Sequence, residues 1–137
     1  MAKLLSPNPN RIPKPAYDES KPDAVAESFA GGSDKELVAA LAEIVGADNV
    51  LSRVSDLVRY ASDASPYRDI PSIVVQPRNA QDLSELMRYA RRSGHTLTFR
   101  SAGTSLNGQA MTDDILVDVK THFRGMEAVS YTHLRAH

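Results

Sequence analysis

The chain has 137 residues, 42% of them hydrophobic, which suits one domain of modest size able to bury a core. Sixteen basic residues against seventeen acidic ones leave a net charge of −1, which gives no electrostatic case for a nucleic-acid or acidic-membrane partner. The absence of cysteine excludes a disulfide framework, a thiolate zinc site and iron–sulfur ligands from this segment.

Residues 1–32 hold five of the eight prolines and close on Gly31 and Gly32. Such a composition buries too little apolar surface to offset its ordering entropy, so we expect a flexible, disordered leader. Its first residues, Met1 to Pro15, lack the apolar stretch of a secretory signal, and no later run reaches the ~18 apolar residues of a bilayer span. We therefore expect a cytoplasmic protein, with peripheral attachment to the inner membrane left open.

Order is expected from Ser33, opening a helical segment over 33–68. Ser33, Asp34, Lys35 and Glu36 fit a capping box with Ser33 as the cap, and Leu37, Leu41, Ile44 and Val45 recur at helical spacing until Gly46. An extended piece follows at 49–51. Ser55 then fits the cap of a brief helix with Leu57, Val58 and Ala61 on one side.

Residues 69–129 read as the organising α/β part. Ser72 to Gln76, between Pro71 and Pro77, is a β-branched apolar run expected to form a strand buried on both faces. Asn79 caps a helix with an apolar stripe of Leu83, Leu86, Met87 and Ala90, leaves Arg88, Arg91 and Arg92 toward solvent, and stops at Gly94. Thr96 to Phe99 resumes strand character, making a βαβ unit, and Ile115 to Val119 supplies a further strand. Residues 130–137 break the pattern; they resemble translated adapter read-through, and the chain reads as incomplete.

Between the last two strands lie Arg100, Ser101, Ala102, Gly103, Thr104, Ser105, Leu106, Asn107, Gly108, Gln109 and Ala110. The run is small, glycine-punctuated and hydroxyl-rich, and it follows the carboxyl end of a strand, where ligands gather in parallel sheets. Backbone N–H groups can converge there on a phosphate, with the Thr104 and Ser105 hydroxyls and the Arg100 charge in support. Gly103 and Gly108 have G-x-x-x-x-G spacing, but Gln109 and Ala110 supply neither the lysine nor the magnesium-binding hydroxyl of a triphosphate loop. The dinucleotide fingerprint G-x-G-x-x-G is also absent. An internal pyrophosphate of a tightly held cofactor suits what remains.

Plainer readings compete at single positions. Arg100 also suits pairing with a surface carboxylate, Leu106 suits anchoring the loop in the core, and Asp113 and Asp114 suit a turn before Ile115. Asp118 reads as a turn or cap residue, His95 as a loop residue, and Tyr60 and Tyr67 as packing under the sheet. The four histidines show no ligand spacing, so no metal site is expected.

The strand at 71–78, the helix from Ala80, the loop at 98–110 and the strand at 115–118 together resemble the FAD-linked oxidase family, whose FAD-binding fold is that of vanillyl-alcohol oxidase and p-cresol methylhydroxylase. Residues 60–68 and the Gly-Thr-Ser-Leu-x-Gly-Gln form are most similar to D-lactate and related 2-hydroxyacid dehydrogenases. The resemblance covers 56–128. It implies the first βαβ subdomain of an FAD-binding domain plus the start of the second, with Arg100, Ser101, Ala102, Gly103, Thr104, Ser105, Gly108 and Gln109 in contact with the cofactor. Some members tether flavin through a histidine in this loop, but Thr104 stands at that place, so non-covalent FAD is expected. The implied reaction oxidises a 2-hydroxy acid, D-lactate first, to the 2-oxo acid and passes electrons to a quinone, a cytochrome or an iron–sulfur cluster on another segment. No catalytic residue is assigned on this chain, which alone should not turn over substrate. The alternative is a non-enzymatic phospholigand-binding module or an inactive truncated product.

Overall fold

The computed structural model describes residues 30–125; the expected leader up to residue 29 and the atypical tail lie outside them. It is a mixed α/β structure with one four-stranded sheet in the order β1-β2-β4-β3, where β1 is Val50–Leu51, β2 Ile73–Val75, β3 Leu97–Arg100 and β4 Ile115–Asp118. Helices α1 (Lys35–Val45), α2 (Val54–Arg59) and α3 (Ala80–Ser93) complete it. β1 runs antiparallel to β2, while β2, β4 and β3 are mutually parallel. No helix among the described residues is long and apolar enough to cross a membrane.

Helix α1 begins on Asp34, whose carboxylate accepts the Leu37 N–H at 3.0 Å, and ends at Gly46. Ser33, expected to be the cap, does something else. It is buried, takes the Ser52 carbonyl with its N–H at 2.9 Å and donates its hydroxyl to the Ser72 carbonyl at 2.6 Å, pinning the start of α1 to the entry of β2. Leu37, Leu41 and Val45 then fall on the buried face and pack with Ile73, Val75, Leu86, Ile115 and Val117. Helix α3 starts on Asn79, which accepts the Asp82 N–H at 3.0 Å, and closes at Gly94 in the left-handed conformation. Arg78 clamps that first turn: it reaches Asp82 at 2.8 and 3.0 Å and the Ile44 carbonyl at 3.2 Å, joining α3 to the end of α1.

Three further local expectations are corrected. Ser55 lies inside α2, which starts after Arg53. Val58 faces outward, leaving Leu57 to pack with Val74 and Leu116 on the second face of the sheet. Met87, placed in the stripe of α3, is 54% exposed, because the helix needs only Leu86 and Ala90, with Leu83 and Tyr89 at the margin, to cover its part of the sheet.

The larger difference is topological. The expected βαβ unit is present as β2, α3 and β3, but its two strands are not neighbours, because β4 inserts between them. Hydrophobicity accounts for the order. All four β4 residues are buried, so β4 requires a neighbour on each side, whereas β3 carries the exposed Phe99 and tolerates the outer place.

The start of β4 is held by Asp114. Its carboxylate accepts His95 Nδ1–H at 2.7 Å and the N–H and hydroxyl of Thr96 at 2.7 and 3.0 Å, so the entries of β3 and β4 are tied. The His95 and Asp114 side chains are 4% and 2% exposed, and His95 stacks on Tyr89 at 6.0 Å. His95 lies in the loop after α3, as expected, but its side chain is a buried partner, and Asp114 does more than turn the chain. Burial pushes the Asp114 carboxyl up, but the bonds from His95 and Thr96 outweigh it and leave the group below its ordinary range. A depressed carboxylate contributes stability above its unfolded pKa that is lost as pH falls through the folded value. Urea unfolding should therefore show stability declining below about pH 4. Asp114→Ala should cost about 3 kcal/mol at neutral pH and flatten that acid decline; an unchanged unfolding midpoint would refute the assignment.

Candidate functional site

The three parallel strands end side by side. Arg100 is in register with Asp118, and pairing of Val75 with Val117 places Gln76 beside Asp118 on the other flank. At the centre of this row the Asp118 carboxylate accepts the Tyr60 hydroxyl at 2.7 Å, Gln76 Nε2 at 3.1 Å, the Thr121 hydroxyl at 3.0 Å and the Lys120 N–H at 2.8 Å. Burial raises its pKa, yet these donors prevail and hold it below the usual carboxylate range. The Tyr60 phenol moves the other way, pushed up by burial and by the neighbouring carboxylate. The Lys120 bond is the turn contact expected of Asp118; the three side-chain donors make it a hub as well.

Tyr60 also meets Arg100. The guanidinium lies over its ring, 5.3 Å from the centroid, and Nη1 donates to the carbonyls of Tyr60 at 3.3 Å and Ser62 at 2.8 Å. Among the described residues Arg100 pairs with no carboxylate. The carbonyls it holds belong to a tight loop, closed by the Ser62 and Arg68 bridge and the Asp69 N–H to Ala61 carbonyl bond at 2.8 Å.

The glycine loop leaves β3 directly above Arg100. Gly103 has φ +71°, where other side chains are strained, and a Cβ there would lie 2.6 Å from Arg100 Cζ and 2.7 Å from Nε, so the guanidinium would have to move. Gly108, at φ +75°, packs on Met111 and Tyr67. Ser105 organises the turn between them: its hydroxyl accepts the N–H groups of Asn107 and Gln109 at 3.2 Å each and donates to Gln109 Oε1 at 3.1 Å. Ser101, Ala102 and Thr104 are exposed, and Gly103 is half-buried. Leu106, expected to anchor the loop in the core, is 73% exposed, because Ala110 and Thr112 provide the buried contacts instead. Among the described residues, the N–H groups of 102–106 have no acceptor.

Five successive amides without acceptors, beside a guanidinium whose Nε and Nη2 are also uncommitted among the described residues, form a donor-rich surface at the carboxyl end of the sheet. Residues 71–137 match the FAD binding domain family. This part of the chain belongs to that family. The chain is similar to D-2-hydroxyglutarate dehydrogenase from Escherichia coli strain K12, 37% identical over 71 residues, which is 50% of this chain and 7% of the relative. It is also similar to the enzymes of that name from Pseudomonas putida, 38% over 69 residues (48% and 7%), and Haemophilus influenzae, 26% over 77 residues (54% and 8%). The chain thus spans about 7% of the length of the curated relatives it matches.

The residues of this FAD binding domain fit such a cofactor chemically. The unpaired loop amides are donors for phosphate oxygens. Beside the loop, Asp63 accepts the Ser65 N–H at 2.8 Å, and hydrogen bonds from the Ser65 hydroxyl and from the Ser65 and Ala110 backbone hold its carboxyl below the usual range. Arg88, Arg91 and Arg92 belong to α3 and take no part in this row; Arg88 pairs with Glu85 at 2.8 Å. The Tyr60, Gln76, Asp118 and Thr121 cluster escaped the sequence reading, since Tyr60 and Asp118 are 58 positions apart and share no motif. Tyr60→Phe should cost about 1.5 kcal/mol at pH 7, the worth of a hydrogen bond to a charged acceptor. Because that bond favours the ionised Asp118, the difference from the parent should shrink as the pH falls below about 4. Urea unfolding at pH 7 and pH 3 checks both; a pH-independent cost would contradict it.

Proposed function

We propose that the chain is the FAD-binding part of a flavin-dependent oxidoreductase that converts a 2-hydroxy acid to the 2-oxo acid. The observation that carries this reading is the unsatisfied run of amides at 102–106, in a segment that belongs to the FAD binding domain family. In this reading those amides, with the Thr104 hydroxyl, bind the pyrophosphate, while Ser101, Ser105, Gly108 and Gln109 shape the loop around it. FAD is held non-covalently, since Thr104 and its loop neighbours offer no histidine for a tether. The chemistry supplied by the bound cofactor is acceptance of a hydride equivalent from the substrate carbon. This chain's part is to bind and orient that cofactor at the carboxyl edge of the sheet.

The substrate class rests on the relatives. Their shared name makes D-2-hydroxyglutarate the first acid to assay, and D-lactate the second, on the resemblance of 60–68 and the glycine loop to D-lactate dehydrogenases. Electrons would leave to a quinone, a cytochrome or an iron–sulfur centre on a different segment.

The test is the absorbance spectrum of the purified full-length gene product, before and after acid precipitation. Yellow protein that releases FAD into the supernatant is expected, and Arg92→Ala should leave the flavin content unchanged. Gly103→Val should lose it, because a side chain at φ +71° is strained and collides with Arg100. Colour that stays in the precipitate would contradict non-covalent binding. A folded product that takes up no FAD would favour a non-enzymatic phospholigand module.

A further inference from the structure

We propose that Arg100 is a positioning residue: it braces the glycine loop against the 60–68 loop and so presets the free amides for phosphate, instead of meeting the phosphate itself. As regards the ligand, this inference rests on the FAD reading above; the brace itself does not.

The geometry assigns the guanidinium a mechanical task. Nη1 is committed to two backbone carbonyls 38 and 40 positions upstream, those of Ser62 and Tyr60. The guanidinium Cζ lies over the Tyr60 ring, 5.3 Å from the centroid, and Tyr60 is itself fixed by its hydroxyl bond to Asp118 at 2.7 Å. The other side of the guanidinium fills the space that a Cβ on Gly103 would need. Order therefore passes from the sheet through Asp118, Tyr60 and Arg100 to the backbone of Gly103, in the middle of the unpaired amides. A loop held in its binding conformation before the ligand arrives loses less entropy on binding. Charge alone does not require this arrangement. A lysine would bring the same charge, and its ammonium can also donate to two carbonyls, but it is a compact point charge without the guanidinium's extended plane to contact the ring and at the same time fill the space beside Gly103.

The discriminating variants are R100K and R100Q, with Arg92→Ala as an exposed control. Flavin-free protein would be digested with thermolysin, which cleaves before exposed apolar residues such as Leu106, and FAD affinity read from flavin fluorescence on titration. Both Arg100 variants should be cut at the Ser105–Leu106 bond ~tenfold faster than the parent, as expected when a local opening equilibrium is released. Both should also bind FAD ~tenfold more weakly, with lysine no better than glutamine. Retention of parental behaviour by R100K in either assay would overturn the proposal. So would weaker FAD binding by R100Q without faster cleavage, which would make Arg100 a direct phosphate contact. Faster cleavage with unaltered FAD affinity would also overturn it. If the parent itself bound no FAD while both variants were cut faster, the FAD reading would fail and the brace would stand.

Discussion

A strand of three apolar residues, Ile115 to Val117, with a buried carboxylate at each end organises this molecule. β4 has no exposed residue, so it must sit between two other strands, and its boundaries cannot be left to hydrophobic contact alone because Asp114 and Asp118 are buried with it. A buried carboxylate costs several kcal/mol unless hydrogen bonds replace its water. Three donors reach Asp114 and four reach Asp118, and all but the Lys120 and Thr121 donors to Asp118 come from segments distant in sequence. Each carboxylate thereby sets the register of what surrounds it: Asp114 sets the entry of β3, and Asp118 sets the end of α2 and the exit of β2.

The same device separates structure from function along the sheet. At the amino edge the polar groups close on one another, with His95 stacked on Tyr89 and bonded to Asp114. At the carboxyl edge closure stops short. Asp118 and Tyr60 are satisfied, but the loop that follows Arg100 keeps a run of amides without acceptors among the described residues. Ser105 makes that possible by meeting the later amides of the loop internally, so the earlier ones stay available without the loop losing its shape. Rigidity beneath and unmet donors above is the arrangement expected of a cradle for a cofactor's phosphates.

Much of the local structure was legible. Asn79 and Gly94 bracket α3 because a short polar acceptor and a residue free to take positive φ are what helix ends demand. The run from Ile73 to Val75 is a buried strand because three apolar, β-branched side chains in succession suit no half-exposed face. The glycine loop was visible as a composition anomaly between strands. Positions whose role depends on a distant partner were not legible. Ser33 looked like a cap until Ser72 claimed its hydroxyl. Leu106 looked like an anchor until Ala110 and Thr112 took the buried places. His95 had no motif to mark it, because its partner is an aspartate 19 positions away.

The amino-acid sequence by itself determined the elements, both ends of α3, the end of α1 and the place of the glycine loop, since these follow from hydrophobic period, capping chemistry and glycine, all of which act within a few residues. Only the tertiary structure decided that β4 lies between β2 and β3, that Asp114 and Asp118 are buried hubs, and that Arg100 holds the backbone of the 60–68 loop under Gly103. Strand order is a competition among whole surfaces for burial. The partner of a buried polar group is whichever donor that competition brings within about 3 Å.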